Sequence, residues 1–481
     1  MLRNRIWHRL NLKQKPEYYM EKDSNLKREI RTIDLIGLGI GMVVGTAIFT
    51  LPGIVAAKYS GPAVIISFLV GAVGAGLSAL AYGEMASVLP FAGSAFSWIS
   101  VLFGEFWGWI VGWALLAEYF ISVAFVASGW SVYMRSFLES LGIKIPNIIN
   151  GGFNLRTGSI IDIFAALAIL LVACLLSRGV SQASKIENII VGIKLAVIVL
   201  FVIIGVTEVH VQNYLPFIPP HRAGTNFGGV QGILAGASQI FIAYVGFDAI
   251  AANAAETKNP EKSMPIGLLG TLILGTTLFV IVSLVLVGMF KYSVYFDNAV
   301  PASWALRETG HYIAANLLSV IALVGLFSAL IAVLLAASRL IYSFGRDCLL
   351  PTKLGNVNDK HMPNYALWVI TGASIILGSI LPFDFLSSLV SAGTLVAFIF
   401  VSLGIYALRP REGKDLPKAK FKVPLYPILP ALSALFSLMI FLNLNVDAKI
   451  LIFVWLLLGV VVYILYGYKH SVLVNQESDL D

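Results

Sequence analysis

Charged side chains are scarce in this chain. Only 12% of its 481 residues are Asp, Glu, Lys or Arg and 58% are hydrophobic, whereas about 25% of the residues of a soluble domain are charged. This composition excludes an ordinary soluble enzyme or binding protein. Cysteine is almost absent too: Cys174 and Cys348 lack metal-ligand spacing and a common compartment, so no disulfide and no metal site is expected.

Long apolar runs account for most of the chain. Runs of about 17–25 apolar residues can cross a bilayer as helices, and these runs are continuous rather than alternating, which excludes membrane β-strands. The sequence therefore predicts an all-α membrane protein. Twelve runs are predicted as spans 1 to 12: 33–55, 63–88, 104–131, 159–176, 187–206, 227–255, 267–290, 314–344, 365–381, 385–408, 425–444 and 450–468.

Basic residues lie mainly on one side of these spans. With the N-terminus inside, 24 of the 33 Lys and Arg fall in cytoplasmic segments, 8 fall outside and one lies within a span. This bias follows the positive-inside rule, so the net charge of +7 reflects topology in the lipid bilayer and no nucleic acid partner is expected. Segment 1–31 has no apolar core of a signal peptide and is predicted, like segment 469–481, to be a cytoplasmic tail.

Two spans show signs of interruption. Span 1 contains five glycines within about twenty residues, and span 6 contains Gly246 beside the intramembrane Asp248. Glycine is a poor helix former, and two broken helices five spans apart are typical of an inverted repeat whose breaks bind a zwitterion at the midplane. The glycines would equally serve close helix packing, as small residues do in many membrane bundles.

A lysine, Lys194, lies within the apolar run of span 5, about 10 Å from its cytoplasmic end. An ammonium inside a bilayer costs several kcal/mol unless it is paired, hydrated or deprotonated. One interpretation is a snorkelling side chain; the other is an amine that gains and loses a proton during transport and stands in for a sodium ion. Glu118 and Asp248 could each be a proton relay or a buried acid that ties helices together. For Glu84, which lies near a helix end, a structural role is favoured.

Several separated motifs carry a family resemblance. The chain resembles the amino acid, polyamine and organocation (APC) superfamily, and within it bacterial members of the cationic amino acid transporter family. The resemblance covers about residues 27–468 and rests on LKREIRTIDLIGLGIGMVVGTAIF, AYGEMASVLPFAGSAFSW, GWALLAEYFISVAFVASGWS, ENIIVGIKLAVIVLF, FIAYVGFDAIAANAAETKNPEKSMPIG, ASRLIYSFGRDCLLP and FKVPLYPILP.

The resemblance implies a LeuT-like fold in a bacterial cell membrane. Residues 32–206 and 207–408 would form two inverted repeats with discontinuous helices 1 and 6, and residues 409–468 would add two C-terminal helices. No cofactor and no catalytic residue is implied, so the chain is expected not to be an enzyme.

The resemblance also implies site residues. The substrate carboxylate would bind backbone amides at the span 1 break, and the substrate ammonium would meet carbonyl groups at the span 6 break. Lys194 would lie close to the span 1 break and to a span 8 hydroxyl, Ser328. The substrate-binding positions are Val43, Gly45, Thr46, Ala47, Ile242, Ala243, Val245 and Gly246, and the proton-coupling candidates are Lys194, Ser328, Glu118 and Asp248.

Two departures from the family pattern affect the substrate. Ala47 replaces the second glycine of the common GTGIF pattern, and Ile242 stands where an aromatic residue is common. The inferred span 8 wall, which includes Leu326 and Leu334, offers no carboxylate for a lysine or arginine substrate. We therefore expect proton-coupled uptake of small or branched-chain neutral L-amino acids; the alternative is a sodium-independent exchanger of cationic amino acids or polyamines in which Lys194 is structural.

Overall fold

The protein is almost entirely helical in the computed structural model. The model describes residues 12–45, 47–140, 142–154, 158–244, 246–296, 298, 300–381, 386, 392–444 and 446–474. The helices are α1 Pro16–Lys22, α2 Thr32–Val43, α3 Ala47–Val55, α4 Val64–Val88, α5 Ala95–Leu102, α6 Glu105–Ser140, α7 Ile163–Leu176, α8 Val180–Thr207, α9 Gly229–Tyr244, α10 Pro260–Met289, α11 Pro301–Glu308, α12 Tyr312–Arg346, α13 Asn364–Ile380, α14 Ala392–Leu408, α15 Ile428–Asn443, α16 Val446–Val462 and α17 Tyr468–His470. Within these ranges only isolated β-bridges occur, so the all-α prediction is confirmed there.

Many of these helices have the dimensions of membrane spans. Within the described ranges, seven helical segments are long and apolar enough to cross a membrane: Ala47–Val88, Glu105–Glu139, Lys185–Thr207, Pro260–Met289, Tyr312–Arg346, Ala392–Arg411 and Val446–Val474. Four shorter apolar helices are Thr32–Val43, Ile163–Leu176, Asn364–Ile380 and Ile428–Leu442. The chain is therefore a multi-pass helical membrane protein.

The helices of predicted spans 1 and 6 are both interrupted. α2 ends at Val43 and α3 begins at Ala47, and Val44 leaves the helical region with φ −94° and ψ 54°. α9 ends at Tyr244, and Gly246, with φ +112°, precedes a 3-10 helix, Phe247–Glu256. Positive φ values of this kind are accessible mainly to glycine, so Gly246 permits the second interruption.

The two interruptions meet. A Cβ atom added at Gly246 would lie only 2.8 Å from the Met42 Cε, so the last turn of α2 packs directly on the backbone of the second interruption. α2 also packs against α8, α10 and α12. The two interrupted helices therefore share one packed centre.

Glycines of α2 allow this close packing. Gly37 faces Asn188 of α8, and Gly39 faces Thr271 of α10. Gly41 lies against the carboxylate of Glu187 and the hydroxyl of Ser328. Small residues at these positions let neighbouring backbones approach closely. Within this one segment, Gly37, Gly39 and Gly41 thus serve close helix packing, whereas Gly45 lies in the interruption.

Buried ion pairs join the helix ends on the side that carries the N-terminal segment. The Arg346 guanidinium pairs with Asp23 and with Asp347, each at 2.7 Å. The Tyr19 hydroxyl donates to Asp347 at 2.9 Å. Burial, together with the Asp347 carboxylate, raises the pKa of Tyr19 well above its usual range, so the phenol remains a donor. These contacts bind the N-terminal segment to the end of α12.

Two further pairs join elements that are distant in the sequence. Arg339 of α12 donates to both oxygens of Glu256, at 2.6 and 2.7 Å, at the end of the 3-10 helix, and both side chains are buried. Arg409 donates to both oxygens of Glu84, at 2.7 and 2.8 Å. Glu84 thus makes the contacts that a structural role requires.

Loss of the Arg339 guanidinium should destabilise the fold. Arg339→Ala would leave the Glu256 carboxylate buried without its partner, which costs about 3–5 kcal/mol. We expect a clear fall in the melting temperature of the purified protein in detergent. Arg307→Ala, which removes an exposed guanidinium that donates to Asn316, is the matched control and should melt like wild type. Equal melting of the two variants would contradict a stabilising role for the buried pair.

Gly41→Ala should also destabilise the protein. Its new methyl group would displace the Glu187 carboxylate from the Ser328 hydroxyl, and a buried polar group left without a partner costs about 1–3 kcal/mol. Gly192→Ala is the control, because a Cβ atom there meets no atom within 4 Å, and alanine stabilises an exposed helix position by about 0.5–1 kcal/mol over glycine. Melting curves should therefore shift in opposite directions; a shared direction would contradict the packing described.

Candidate functional site

Lys194 lies at the centre of the packed region. α8 passes α2 and α12, and the Lys194 side chain, only 2% exposed, ends between them. Its Nζ donates to the Gly41 carbonyl oxygen at 3.3 Å. A Cβ atom added at Gly325 of α12 would lie 3.2 Å from the Lys194 Cε, so a side chain there would press on the lysine stem. The ammonium therefore ends inside the protein and does not snorkel to the surface.

The partner of Lys194 explains this position. Gly41 belongs to the last turn of α2, whose terminal carbonyl groups have no partner within the helix. These carbonyls carry the negative end of the helix dipole, which favours a cation. A protonated Lys194 thus stabilises the open end of α2 immediately before the first interruption.

Glu187 is a second ionisable residue at this place, and the sequence analysis missed its role. It is 1% exposed and lies on α8 seven residues before Lys194, which places both on one face of the helix. The Ser328 hydroxyl donates to its Oε1, whereas its Oε2 has no hydrogen-bond partner among the described residues. Ser328 therefore binds the carboxylate directly, and the seven-residue spacing was the signal available in the sequence.

The predicted substrate-binding positions surround the two interruptions. Val43 is the last residue of α2 and Gly45 lies in the interruption, with Ala47 beginning α3. Ala243 lies in the last turn of α9, and Gly246 precedes the 3-10 helix. Ile242 is also in that last turn, but its side chain is not described; Thr46 and Val245 lie outside the described residues.

This backbone arrangement offers two complementary charges. The N-terminal end of α3 presents amide groups without intrahelical partners and a positive dipole end, which suit a carboxylate. The C-terminal end of α9 presents carbonyl groups without intrahelical partners, which suit an ammonium. A zwitterion between the interruptions would satisfy both ends.

Glu118 and Asp248 are brought together elsewhere in the bundle centre. Glu118 is 2% exposed and Asp248 is fully buried, and the two carboxyl groups interact electrostatically. The Tyr119 hydroxyl donates to Asp248 at 3.4 Å. Glu118 Oε2, Asp248 Oδ1 and the Tyr82 hydroxyl have no hydrogen-bond partner among the described residues. The cluster is therefore polar, buried and incompletely satisfied.

Glu118 also faces an apolar space. A cavity of about 230 Å³ lies between α6, α13, α14 and α16, with Glu118, Leu377, Gly393 and Trp455 among its lining residues. Within the described ranges, no group of three or more His, Cys, Asp or Glu side chains is placed to hold a metal ion.

Comparison with known proteins identifies the family of the chain. The family model described as amino acid permease matches residues 30–468. A branched-chain amino acid permease of Lactococcus lactis subsp. cremoris (strain MG1363) is 50% identical over 455 residues, covering 95% of this chain and 98% of that protein. In Bacillus subtilis (strain 168), a methylthioribose transporter is 36% identical, covering 94% of this chain and 96% of its own length. A branched-chain amino acid permease of the same strain is also 36% identical, covering 93% and 95%.

These matches extend over nearly the whole of this chain and nearly the whole length of each relative. They confirm the resemblance drawn from the motifs and agree with a helical membrane fold. The chain belongs to the amino acid permease family, within the APC superfamily.

Proposed function

We propose that this permease takes up neutral L-amino acids, branched-chain ones first, together with a proton by alternating access. The observation that carries the proposal is the buried Lys194 ammonium on the Gly41 carbonyl at 3.3 Å, one turn before the first interruption. The 50% identical relative is a branched-chain amino acid permease, which supports the choice of branched-chain amino acids. The absence of a carboxylate from the inferred span 8 wall, Leu326, Ala329, Ile331, Val333 and Leu334, supports a neutral side chain.

The proposal includes a topology of twelve membrane crossings with both termini in the cytoplasm of a bacterial cell. The order of helices supports it: α2 with α3, α4, α6, α7, α8, α9 with the 3-10 helix, α10, α12, α13, α14, α15 and α16. Residues 32–206 and 207–408 then form inverted repeats, each beginning with an interrupted helix. Residues 409–468 supply the last two crossings.

Substrate binding uses the two interruptions. The carboxylate of the amino acid accepts hydrogen bonds from amides around Gly45 and Ala47, and its ammonium donates to carbonyls around Ile242 and Ala243. Such contacts recognise the part that all L-amino acids share, so the surrounding side chains decide which amino acid is preferred.

Proton coupling acts through the end of α2. A protonated Lys194 donates to Gly41 and favours the packed arrangement of α2, α8 and α12. A neutral amine binds that carbonyl more weakly, because hydrogen bonds from charged donors are roughly twice as strong as neutral ones. Protonation thus biases one conformation of the interruption, which is what coupling requires. Since the ammonium replaces a metal cation, transport should not depend on sodium.

The Glu118–Asp248 cluster bears on the alternative. Its unpartnered carboxylate oxygens would pair with a substrate guanidinium or ammonium if they faced the side-chain pocket, and this would favour exchange of cationic amino acids. If they do not face it, the cluster is a candidate for a second proton site. Selectivity measurements separate these two cases.

Lys194→Ala should abolish uphill transport. In proteoliposomes with an imposed pH gradient, wild type should accumulate leucine and the variant should reach only equal concentrations inside and outside, because the titrating amine is gone. Choline in place of sodium should leave wild-type uptake unchanged. Lys185→Ala, at an exposed position of the same helix, is the matched control. Accumulation by the Lys194 variant would refute the coupling role, and a strict sodium requirement would refute the ion assignment.

Branched-chain amino acids should outcompete cationic ones. Burial of an unpaired side-chain charge in the pocket costs several kcal/mol, and about 3 kcal/mol corresponds to more than a hundredfold in affinity. Competition against radiolabelled leucine should therefore show valine, leucine and isoleucine stronger than arginine and lysine by about two orders of magnitude. Aspartate and glutamate should be rejected for the same reason. Equal competition by arginine would replace this proposal with the cationic one.

A further inference from the structure

The Glu187 carboxylate has an unusual environment. It is buried to 1% exposure, lies against the backbone of Gly41 and receives one hydrogen bond, from Ser328. Oε2 has no partner among the described residues. A buried carboxylate is costly unless its charge is paired or it carries a proton, so an oxygen held free in such a place is suited to proton exchange.

Lys194 is the charged group that acts on this carboxylate. From α2, Asp34 faces the neighbouring Asn188, whose amide donates to it at 2.6 Å, and Arg31 pairs with that same aspartate. α12 contributes the neutral Ser328, and its nearest arginine, Arg339, is paired with Glu256.

The other packed helices add no charge at this level. α10 presents the Thr271 hydroxyl, beside Gly39, and α7 has only the exposed Cys174 as a titratable residue. Among the described residues, Lys194 is accordingly the ionised side chain that interacts electrostatically with Glu187.

The two groups converge on one residue. Lys194 Nζ donates to the Gly41 carbonyl, and the Glu187 carboxylate lies against the Gly41 α-carbon. Their side chains start two helical turns apart, about 10 Å, but both bend toward the end of α2. Any movement of that end changes the contacts of both groups at the same time.

We propose that Glu187 is the proton-relay residue of this transporter, receiving the coupled proton from Lys194 and passing it toward the cytoplasm. This inference rests on the proposed function and deepens it. The transfer takes place when movement of the end of α2 brings the two side chains into contact: one Nζ–H bond of the ammonium breaks and an O–H bond forms at Oε2 of Glu187. A buried ammonium and a buried carboxylate become a neutral amine and a neutral carboxylic acid, so the net charge is unchanged.

Position and energetics agree with this direction. Glu187 lies nearer to the start of α8, which is the cytoplasmic end in the proposed topology. Movement of the end of α2 removes the Gly41 carbonyl from Lys194 and leaves a buried ammonium without its acceptor. Transfer to Glu187 removes both buried charges at once and therefore lowers the cost of the moved state.

The test compares Glu187→Gln with wild type in proteoliposomes. Glutamine keeps the shape of the side chain and can accept the Ser328 hydrogen bond, but it cannot take up the proton as a carboxylate does. Uptake of leucine driven by a pH gradient should fall at least about a hundredfold, the lower end of what a positioned proton-transfer group contributes. Leucine counterflow at equal pH on both sides should stay within about twofold of wild type. Glu139→Gln, at an exposed position of α6, should change neither rate.

A conservative variant separates the relay from a structural role. Glu187→Asp keeps a carboxylate and should retain gradient-driven uptake, with a pH dependence displaced from that of wild type. If Glu187→Gln accumulates leucine as wild type does, the relay is refuted. If both variants lose counterflow and melt at lower temperature, Glu187 is structural and the proposal is overturned.

The proposed function and the Glu187 relay fail on different results. That function fails if wild type itself shows no accumulation under a pH gradient, or if Lys194→Ala still accumulates leucine. If Lys194→Ala abolishes accumulation and Glu187→Gln does not, the coupling role of Lys194 is supported and only the relay role of Glu187 is refuted.

Discussion

A helix that ends inside a membrane creates the constraint on which this structure depends. The carbonyl groups in the last turn of α2 have no partners within the helix, and lipid offers none. Lys194 donates to one of them, that of Gly41, and its charge matches the negative end of the helix dipole. The interruption leaves a carbonyl group without a partner, and the buried ammonium supplies its donor. The same carbonyl group gives the ammonium an acceptor inside the protein.

Two glycines, which have no side chain, make room for this arrangement. Gly41 and Gly325 are the positions where α2 and α12 meet the Glu187 carboxylate and the Lys194 stem. A methyl group at Gly41 would displace the Glu187 carboxylate, and one at Gly325 would press on the Lys194 stem. Gly246 differs, because its backbone conformation is the requirement there. Glycines that look alike in the sequence thus serve close packing at some positions and the interruption of a helix at another.

Sequence reasoning recovered the parts of this structure that have a periodic or compositional signal. Continuous apolar runs predicted the helices, and the glycine-rich segments predicted both interruptions. Lys194 was recognised because a single charge in an apolar run has a large energetic cost. Glu187 was missed because it stands at the predicted start of span 5, where a carboxylate usually meets water. In the structure, α2 and α12 pack against that part of α8 and cover it. Contacts across helices distant in the sequence, such as that of Arg339 with Glu256, have no such signal, since any buried arginine can pair with any acid that the fold brings near.

The buried charged side chains of this molecule are held in two different ways. Toward the N-terminal segment, Arg346 and Arg339 are held by carboxylates on other elements through short hydrogen bonds, and breaking either pair leaves a buried charge. In the centre, Glu187, Glu118 and Asp248 each keep one carboxylate oxygen without a hydrogen-bond partner in the part of the chain that the structure describes. Such atoms gain hydrogen bonds when a substrate, water or proton arrives, so binding there lowers the energy of the site instead of competing with contacts already made. A transporter must let its centre change partners while its helices persist. The buried ion pairs hold the helices together at one end of the bundle. The carboxylates in the centre can take up new hydrogen bonds or a proton during transport.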